Sequence, residues 1–211
     1  MPDFATIPIQ DIRRKEGART DLFTIALVGN PNAGKTTLFN ALTGLRAKTA
    51  NFPGTTVERK IGRLDLDGHH VHMLDLPGIY SLAAATPEEQ LAADILTGRH
   101  AHQRKPDLAL LVVDSTNLER NLFLVSQMLE HDIPVVAALN MIDIAEHEGI
   151  QIDIAKLSRE LGCPAVAVSA KSGRGLDALR EEMTKFMHRP KEEDFTLRPA
   201  SVCGTCGTCP F

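Results

Sequence analysis

The chain has no long hydrophobic run and no strong excess of charge of either sign. No stretch of its 211 residues approaches the ~18 consecutive apolar residues that a transmembrane helix needs. Lys and Arg number 23 against 27 Asp and Glu, a formal net charge of −4 that gives no general attraction to nucleic acid or anionic lipid. Residues 1–21 contain Arg13, Arg14 and Lys15 but no apolar segment after them, so no secretory signal is expected. We expect a soluble, cytoplasmic protein without a nucleic-acid partner.

Cysteine is scarce, and three of the four cysteines crowd the C-terminus. Cys203, Cys206 and Cys209 are spaced like an iron–sulfur ligand run and are followed by proline, but a fourth cysteine is missing there. A tetrahedral Fe–S or Zn site would need Cys163, a water or another chain as its fourth ligand. The alternative is a flexible tail with reducible thiols, and both interpretations stay open.

What the chain does contain is a phosphate-binding loop. Residues 29–36 read G-x-x-x-x-G-K-T, directly after the apolar run 23–28 and before a predicted helix at 37–42. A strand that delivers the loop and a helix that begins at it point backbone N–H groups at one anion. Glycines allow the tight turn, lysine can reach the β and γ phosphates, and a threonine hydroxyl can ligate Mg²⁺. The predicted nucleotide-binding residues here are Gly29, Asn30, Pro31, Asn32, Ala33, Gly34, Lys35, Thr36 and Thr37, with Thr36 as the magnesium ligand.

Apolar runs alternate with helical patterns along the rest of the chain, which predicts an α/β fold with a mostly parallel sheet of six or seven strands. Asp67-Gly68 joins two strand-like runs as a hairpin and predicts one antiparallel edge strand. Thr86 begins a capping box that starts a helix to about Leu96. Further strands are predicted at 108–113, 134–139 and 165–168, and further helices at 118–129, 154–161 and 176–186. We divide the chain into an N-terminal extension (1–21), one domain (22–188) and a Cys-rich tail (189–211).

Ligands bind at the carboxyl ends of strands in such sheets, and each of these ends carries a useful motif. In the segment Asp75, Leu76, Pro77 and Gly78, the carboxylate can hold Mg²⁺ through water and the glycine N–H can contact a γ-phosphate. In the segment 140–143, a carboxylate can accept from two guanine N–H groups that adenine lacks, which favours GTP over ATP. Each motif alone is more often a turn or a helix cap, but their order along the chain is not accidental. The predicted base-binding residues are Asn140, Met141 and Asp143, followed by Ser169, Ala170 and Lys171, whose loop N–H groups could receive the guanine O6.

The polar stretch 51–58, between the first helix and the second predicted strand, is predicted to be a nucleotide-dependent switch. A hydroxyl there can close onto Mg²⁺ when the γ-phosphate is present and release it after hydrolysis. Thr56 is the predicted ligand and Thr55 the alternative. The nucleotide-contacting residues of this segment are predicted to be Gly54, Thr55, Thr56 and Val57.

Together these segments resemble the small-GTPase superfamily and, more narrowly, the G domain of the FeoB family of bacterial ferrous iron transport proteins. The resemblance covers about residues 22–188. It is carried by NPNAGKTTLFNALTG (30–44), NFPGTTVERK (51–60), DLPGIYSL (75–82), DSTNLERNL (114–122) and ALNMID (138–143). It implies a three-layer, Ras-like GTPase fold and a GTP-hydrolysing switch that is linked to ferrous iron uptake through a membrane permease region or subunit.

The resemblance also implies details of the chemistry. Thr36, Thr56 and Asp75 would hold Mg²⁺, and Gly78 would contact the γ-phosphate. Ile79 stands where Ras-type proteins place the glutamine that orients the attacking water, so intrinsic hydrolysis should be slow. Asn32 matches a residue that helps to hold K⁺, which implies K⁺-stimulated hydrolysis. The implied catalytic residues are Asn32, Lys35, Thr56 and Gly78.

Met141 replaces a lysine that packs on the base in many GTPases, which implies modest affinity and quick nucleotide exchange. Two alternatives to the iron-linked GTPase stay open. One is a ribosome-assembly-type GTPase, and the other is a nucleotide-dependent adaptor with little turnover. The helical and membrane regions of a full transporter do not follow in this sequence, so it is either a fragment or a free-standing GTPase with a separate membrane partner.

Overall fold

The computed structural model describes residues 22–44, 47–53 and 55–188. Its strands are β1 (Thr24–Gly29), β2 (Ala47–Asn51), β3 (Glu58–Leu66), β4 (His69–Asp75), β5 (Leu108–Asp114), β6 (Val135–Asn140) and β7 (Ala165–Ala167). Its helices are α1 (Lys35–Thr43), α2 (Pro87–Thr97), α3 (Leu118–Glu130), α4 (Ile142–His147), α5 (Ile154–Leu161) and α6 (Leu176–Met187). The predictions for Gly54, Cys203, Cys206 and Cys209 lie outside the described residues, as do those for the N-terminal extension and the tail.

All seven strands form one mixed sheet in the order β2-β3-β4-β1-β5-β6-β7. The pairs from β4 through β1, β5 and β6 to β7 are parallel, whereas β3 runs antiparallel to both β2 and β4. The predicted α/β fold is therefore confirmed, including the hairpin at Asp67 and Gly68, both of which have positive φ. The carboxyl ends of the parallel strands lie along one edge of the sheet, where Gly29, Asp75 and Asn140 stand.

One strand was not predicted. β2 lies between α1 and the stretch 51–58 that was predicted to be a switch, and it shares only Asn51 with that stretch. It pairs with β3 from Ala47 opposite Gly62 to Asn51 opposite Glu58. All five of its residues are exposed, so its side chains carry no apolar alternation by which a strand could be recognised. It is held by its backbone pairing with β3, and β2 rather than β3 is the edge of the sheet.

The core lies on both faces of the sheet and explains why its central strands read as continuous apolar runs. Ile25 and Leu27 of β1 join a cluster with α1 and α6, while Ala26 and Val28 join a second cluster with α2, α3 and α5. The protein thus has three layers, with the sheet between two sets of helices.

The helix starts differ in a way that matters for the site. At α2 the predicted capping box is present, since the Glu89 N–H donates to the Thr86 hydroxyl at 3.2 Å and the Thr86 N–H donates to the Glu89 carboxylate at 3.2 Å. α1 instead begins at Gly34 with no side-chain cap, so its first N–H groups are left for another acceptor. Among the described residues, no helix has the length and apolar character that crossing a membrane would require.

Candidate nucleotide-binding site

The phosphate loop leaves β1 at a position that only glycine can occupy. A Cβ on Gly29 would stand 2.5 Å from the carbonyl oxygen of Val112 on β5. At the other end of the loop, Gly34 caps α1 in the left-handed conformation with φ of 87°. Asn32, between them, is exposed and also has a positive φ, of 67°. The loop therefore turns tightly and ends at the uncapped N-terminus of α1, which is the geometry of an anion site.

Lys35 reaches from this loop to the segment after β4. Its Nζ atom lies 3.1 Å from the point where a Cβ on Gly78 would stand, so a side chain at position 78 would require its neighbours to shift. Burial lowers the pKa of the Lys35 amine, although the neighbouring Asp75 acts in the opposite direction. A phosphate bound here would stabilise the charged form of the Lys35 amine, which burial disfavours.

The surroundings of Asp75 supply too little positive charge to balance the burial of its carboxylate. Burial raises the pKa of its carboxyl group, and the charges of Lys35 and Lys60 offset this only in part. Its Oδ1 atom is buried and has no hydrogen-bond partner among the described residues. A cation fits this environment, and a carboxylate is a ligand that Mg²⁺ prefers.

Thr56 and Asp75 line the same cavity, which has a volume of about 310 Å³. Thr56 is exposed there. The Thr55 hydroxyl is engaged within its own turn, since it donates to the Phe52 carbonyl at 3.1 Å and accepts from the Val57 N–H at 3.2 Å. Thr56 and Asp75 bring two oxygen donors, the ligand type that Mg²⁺ prefers, to the same cavity. The hydrogen bonds of the Thr55 hydroxyl within its own turn favour Thr56 over Thr55 as a ligand.

Asn140 connects the phosphate loop to the last loop of the site. Only 2% of its surface is exposed. Its Nδ2 donates to the Ala33 carbonyl at 3.0 Å, and its Oδ1 accepts from the Ala170 N–H at 3.0 Å. Both polar ends of the side chain are therefore used inside the protein, which leaves the exposed Asp143 as the carboxylate that can read a base.

Two N–H groups of the loop predicted to receive the guanine O6 already have partners within the protein. The Ser169 N–H donates to the Arg174 carbonyl at 2.9 Å, and the Ala170 N–H donates to Asn140. Both of these donors are satisfied inside the protein. Within this loop, the N–H of the exposed Lys171 is the candidate donor that remains.

Met141 lies between the base side and the phosphate side. It has φ of 60° as the N-cap of α4, a conformation that costs energy for a non-glycine residue. Its terminal methyl group is 3.5 Å from the point where a Cβ on Gly34 would stand. The Met141 side chain thus lies over the end of the phosphate loop.

The segment after Gly78 is attached to α3 by contacts that the sequence pattern did not reveal. Ile79 is completely buried, and its N–H donates to the Gly29 carbonyl at 3.2 Å. The Ser81 hydroxyl and the Leu82 N–H both donate to Oε1 of Gln127, each at 2.9 Å. Next to them, the Arg120 guanidinium lies 4.5 Å from the centre of the Tyr80 ring. A glutamine in the middle of a helix gives no signal of such a role.

A second unpredicted contact joins α4 to the last loop. The Arg174 guanidinium donates to both carboxylate oxygens of Glu146, at 2.6 and 2.8 Å. The segment 140–143 was recognised as a motif, but the helix α4 that follows it was not, so the position of Glu146 could not be inferred.

Cys163 is poorly suited to complete a metal site with the C-terminal cysteines. It is 4% exposed within the core, and burial raises the pKa of its thiol to about 11. Because metals bind the thiolate, this environment disfavours Cys163 as a ligand. Elsewhere in the described ranges, no group of three or more His, Cys, Asp or Glu side chains is placed to hold a metal ion.

The predicted site residues fall into three groups by exposure. Those buried in the protein are Gly29, Asn30, Ala33, Leu76, Asn140, Ser169 and Ala170. Those partly exposed are Gly34, Lys35, Thr55, Val57, Asp75, Pro77, Gly78 and Met141. Those exposed to an incoming ligand are Pro31, Asn32, Thr36, Thr37, Thr56, Asp143 and Lys171.

Comparison with known proteins gives a consistent result. Residues 23–183 match the family described as ferrous iron transport protein B. The Fe(2+) transporter FeoB of Shigella flexneri is 47% identical over 167 residues, which are 77% of this chain and 21% of that protein. The FeoB transporter of Salmonella typhi is 48% identical over 161 residues, 74% of this chain and 20% of that protein. The chain therefore spans about a fifth of the length of the curated relatives that it matches.

Solved structures of relatives share the fold. The G domain of the T. maritima FeoB iron transporter aligns with a TM-score of 0.71 and 39% identity, covering 79% of this chain and 99% of that one. The cytosolic domain of the same transporter in a GDP form aligns with a TM-score of 0.75 and 40% identity, covering 80% and 64% of the two chains.

Proposed function

Because the chain belongs to the family of ferrous iron transport protein B, FeoB, we propose that residues 22–188 are a G domain that binds GTP and GDP and hydrolyses GTP. The observation that carries this proposal is the tight loop of residues 29–36, which ends at the uncapped start of α1. The partly exposed Lys35 amine lies in that loop, and the neighbouring Asp75 has a buried Oδ1 atom without a hydrogen-bond partner among the described residues. A nucleotide phosphate together with Mg²⁺ would compensate both groups at once. The GDP form of a structural relative at 40% identity supports the same ligand class.

Each part of the nucleotide has a place in this arrangement. Residues 29–36 would surround the phosphates. Gly78, whose Cβ position is 3.1 Å from the Lys35 Nζ atom, would offer its N–H to the γ-phosphate. Asp143 accepts from the two guanine N–H donors that adenine lacks, which makes the site selective for guanine. The loop of residues 169–171 closes over the O6 edge of the base.

Hydrolysis depends on positioning and charge more than on covalent chemistry. Thr36, Thr56 and Asp75 would hold Mg²⁺, which would supply positive charge next to the phosphates. Lys35 adds its own charge to stabilise the phosphoryl oxygens. Ile79 is buried and apolar, so it cannot orient the attacking water, and slow intrinsic turnover follows.

Asn32 is the residue proposed to recruit K⁺. It is exposed in the middle of the phosphate loop, where an amide oxygen could help to coordinate a cation against the phosphates. The test is GTP hydrolysis by the full chain in matched KCl and NaCl buffers, with ATP as the control nucleotide. We expect GTP turnover to be at least about tenfold faster in K⁺ than in Na⁺. A positive charge that stabilises the transition state of phosphoryl transfer can raise the rate by more than tenfold.

The Asn32→Ala variant should lose the K⁺ response while it still binds GDP. Gln90→Ala, which removes an exposed amide side chain on α2, is the matched control and should respond as the unmodified chain does. A K⁺ response that persists in Asn32→Ala would contradict the role of Asn32. Tight GTP binding with no turnover in either salt would favour the second candidate function, a nucleotide-dependent adaptor, which the buried Ile79 also supports.

The link to iron rests on the family and not on this site. Since the chain spans about a fifth of its curated relatives, transport of Fe²⁺ would belong to a membrane region or subunit with which this domain works. We propose that the domain acts at the cytoplasmic face of the bacterial inner membrane through that partner, and that its nucleotide state controls iron movement.

A further inference from the structure

Glu146 and Arg174 form a bidentate ion pair that crosses the base side of the site. Glu146 lies in α4, three residues after Asp143, and so on the same side of that helix. Arg174 closes the loop that begins at Ser169. Its two guanidinium nitrogens donate to the two carboxylate oxygens at 2.6 and 2.8 Å, the parallel geometry that makes such pairs both strong and directional.

The backbone around Arg174 is tightly determined. The Ser169 N–H donates to the Arg174 carbonyl, and the Gly173 N–H donates to the Ser169 carbonyl, both at 2.9 Å. Gly173 and Gly175, on either side of Arg174, have φ of 84° and 78°. A Cβ on Gly175 would stand 2.0 Å from the Ala167 carbonyl oxygen, so the chain passes close to β7 at this point. The loop is thus a closed turn, and this turn places the backbone of Arg174 beside β7.

We propose that the Glu146–Arg174 pair holds the loop of residues 169–174 against α4 and thereby sets how long a guanine nucleotide stays bound. This inference rests on the proposed function, because it concerns the release of that ligand. Asp143 lies on α4 and Lys171 lies in the loop, so a base between them is retained only while the two elements stay together. Arg174 and Glu146 are positioning residues, since neither is placed to touch the nucleotide.

The surroundings of the Glu146–Arg174 pair leave the loop of residues 169–174 space to move if the pair is lost. A cavity of about 430 Å³, lined in part by Ile142, Ala167 and the two charged residues, lies beside the loop and leaves space into which it could move. The hydrogen bond from Arg174 lowers the pKa of the Glu146 carboxyl and raises that of the Arg174 guanidinium, so the pair stays charged across neutral pH. Asn140 provides a second link through the Ala170 N–H, so loss of the pair should loosen the loop without unfolding it.

The expected effect is moderate because both side chains are about half exposed and solvent weakens their attraction. Arg174→Ala should release a fluorescent GDP analogue about three- to tenfold faster in stopped-flow measurements, the range expected for a well-formed bidentate pair. The turnover number at saturating GTP should not fall, because the pair does not contact the phosphates. The KM for GTP should therefore rise while kcat is maintained.

Arg180→Ala is the matched control. It also removes an arginine, whose guanidinium pairs with Asp177 at 3.1 Å on α6, away from the base side. Its GDP release should equal that of the unmodified chain. Equal release rates in Arg174→Ala and Arg180→Ala, with the unmodified chain binding GDP normally, would overturn the inference.

A double-mutant cycle adds a readout that a general loss of stability would not reproduce. Glu146→Ala and Arg174→Ala should each speed release, and the double variant should be no faster than either one, since all three lack the same pair. Arg174→Lys keeps the charge but not the bidentate geometry. Its GDP release rate should therefore lie between that of the unmodified chain and that of Arg174→Ala. Fully additive effects would contradict a shared role. Failure of the unmodified chain to bind GDP at all would instead overturn the proposed function, and the inference with it.

Discussion

Asn140 shows how one side chain can define a site without facing the ligand. Its amide is buried and joins the carbonyl of Ala33 in the phosphate loop to the N–H of Ala170 in the last loop. The two loops come from opposite ends of the domain sequence, so this amide fixes the distance between the phosphate side and the base side. Gly34 lies so close that a Cβ on it would be 2.3 Å from Nδ2 of Asn140.

Asn140→Ala should destabilise the protein even in the absence of nucleotide. The change leaves a buried carbonyl and a buried N–H without partners, and each such group costs about 1–3 kcal/mol. We expect the free energy of unfolding to fall by about 2–3 kcal/mol in urea denaturation of the nucleotide-free chain. Asn51→Ala on β2, where the side chain is exposed, should change it by less than about 0.5 kcal/mol. A result for Asn140→Ala as small as that of the control would show that the two hydrogen bonds contribute little.

Elements differ in how far the sequence could predict them, and the reason is physical. β5 and β6 are buried on both faces and therefore appear as apolar runs, and the Thr86 capping box marks the start of α2 directly. β2 has no buried face, and the six-residue α4 is too short to show a helical period. Glu146 lies on the unpredicted α4, so its contact with Arg174 could not be inferred. Gln127 lies in the middle of the predicted α3, where a glutamine gives no signal that it accepts hydrogen bonds from another segment.

Gln127 connects the segment after Gly78 to α3, and this segment is the one expected to respond to the γ-phosphate. Gln127→Ala removes the acceptor of the Ser81 hydroxyl and the Leu82 N–H while leaving the apolar packing of α3 in place. Each lost hydrogen bond is worth about 1 kcal/mol, so the local opening of this segment should become roughly five- to thirtyfold more frequent. Hydrogen–deuterium exchange should report this as faster exchange of the Leu82 amide and its neighbours.

The control for that experiment is Gln90→Ala on α2, where an exposed glutamine donates only to Asp94 within its own helix. It should leave exchange at Leu82 unchanged. If Gln127→Ala also leaves exchange there unchanged, the attachment of this segment depends on its packing and on the Arg120–Tyr80 contact instead.

At the scale of the whole molecule, a bound nucleotide would stabilise polar groups that the described residues alone leave without partners. The sheet and its two core clusters exist without nucleotide, but the edge of the sheet keeps an uncapped helix start and the partly exposed Lys35 ammonium group. It also keeps a buried Asp75 carboxylate oxygen that has no hydrogen-bond partner in the part of the chain that the structure describes. These groups cost free energy in the empty protein and are stabilised when an anion and a cation are bound. The cost is concentrated at the carboxyl edge of the sheet, where β1, β4 and β6 end.

GDP with Mg²⁺ should therefore stabilise the whole domain strongly and selectively. A ligand at one hundred times its dissociation constant adds about 2.7 kcal/mol, which corresponds to a rise in Tm of about 5–10 °C for a domain of this size. ADP at the same concentration should produce a shift close to zero, because Asp143 finds no pair of donors on adenine. Lys35→Ala should lose most of the shift, since about 2–3 kcal/mol of charge-assisted bonding to phosphate disappears with the ammonium group. Differential scanning fluorimetry over a GDP titration provides the measurement, and equal shifts with ADP would contradict the assignment of Asp143 as the residue that reads guanine.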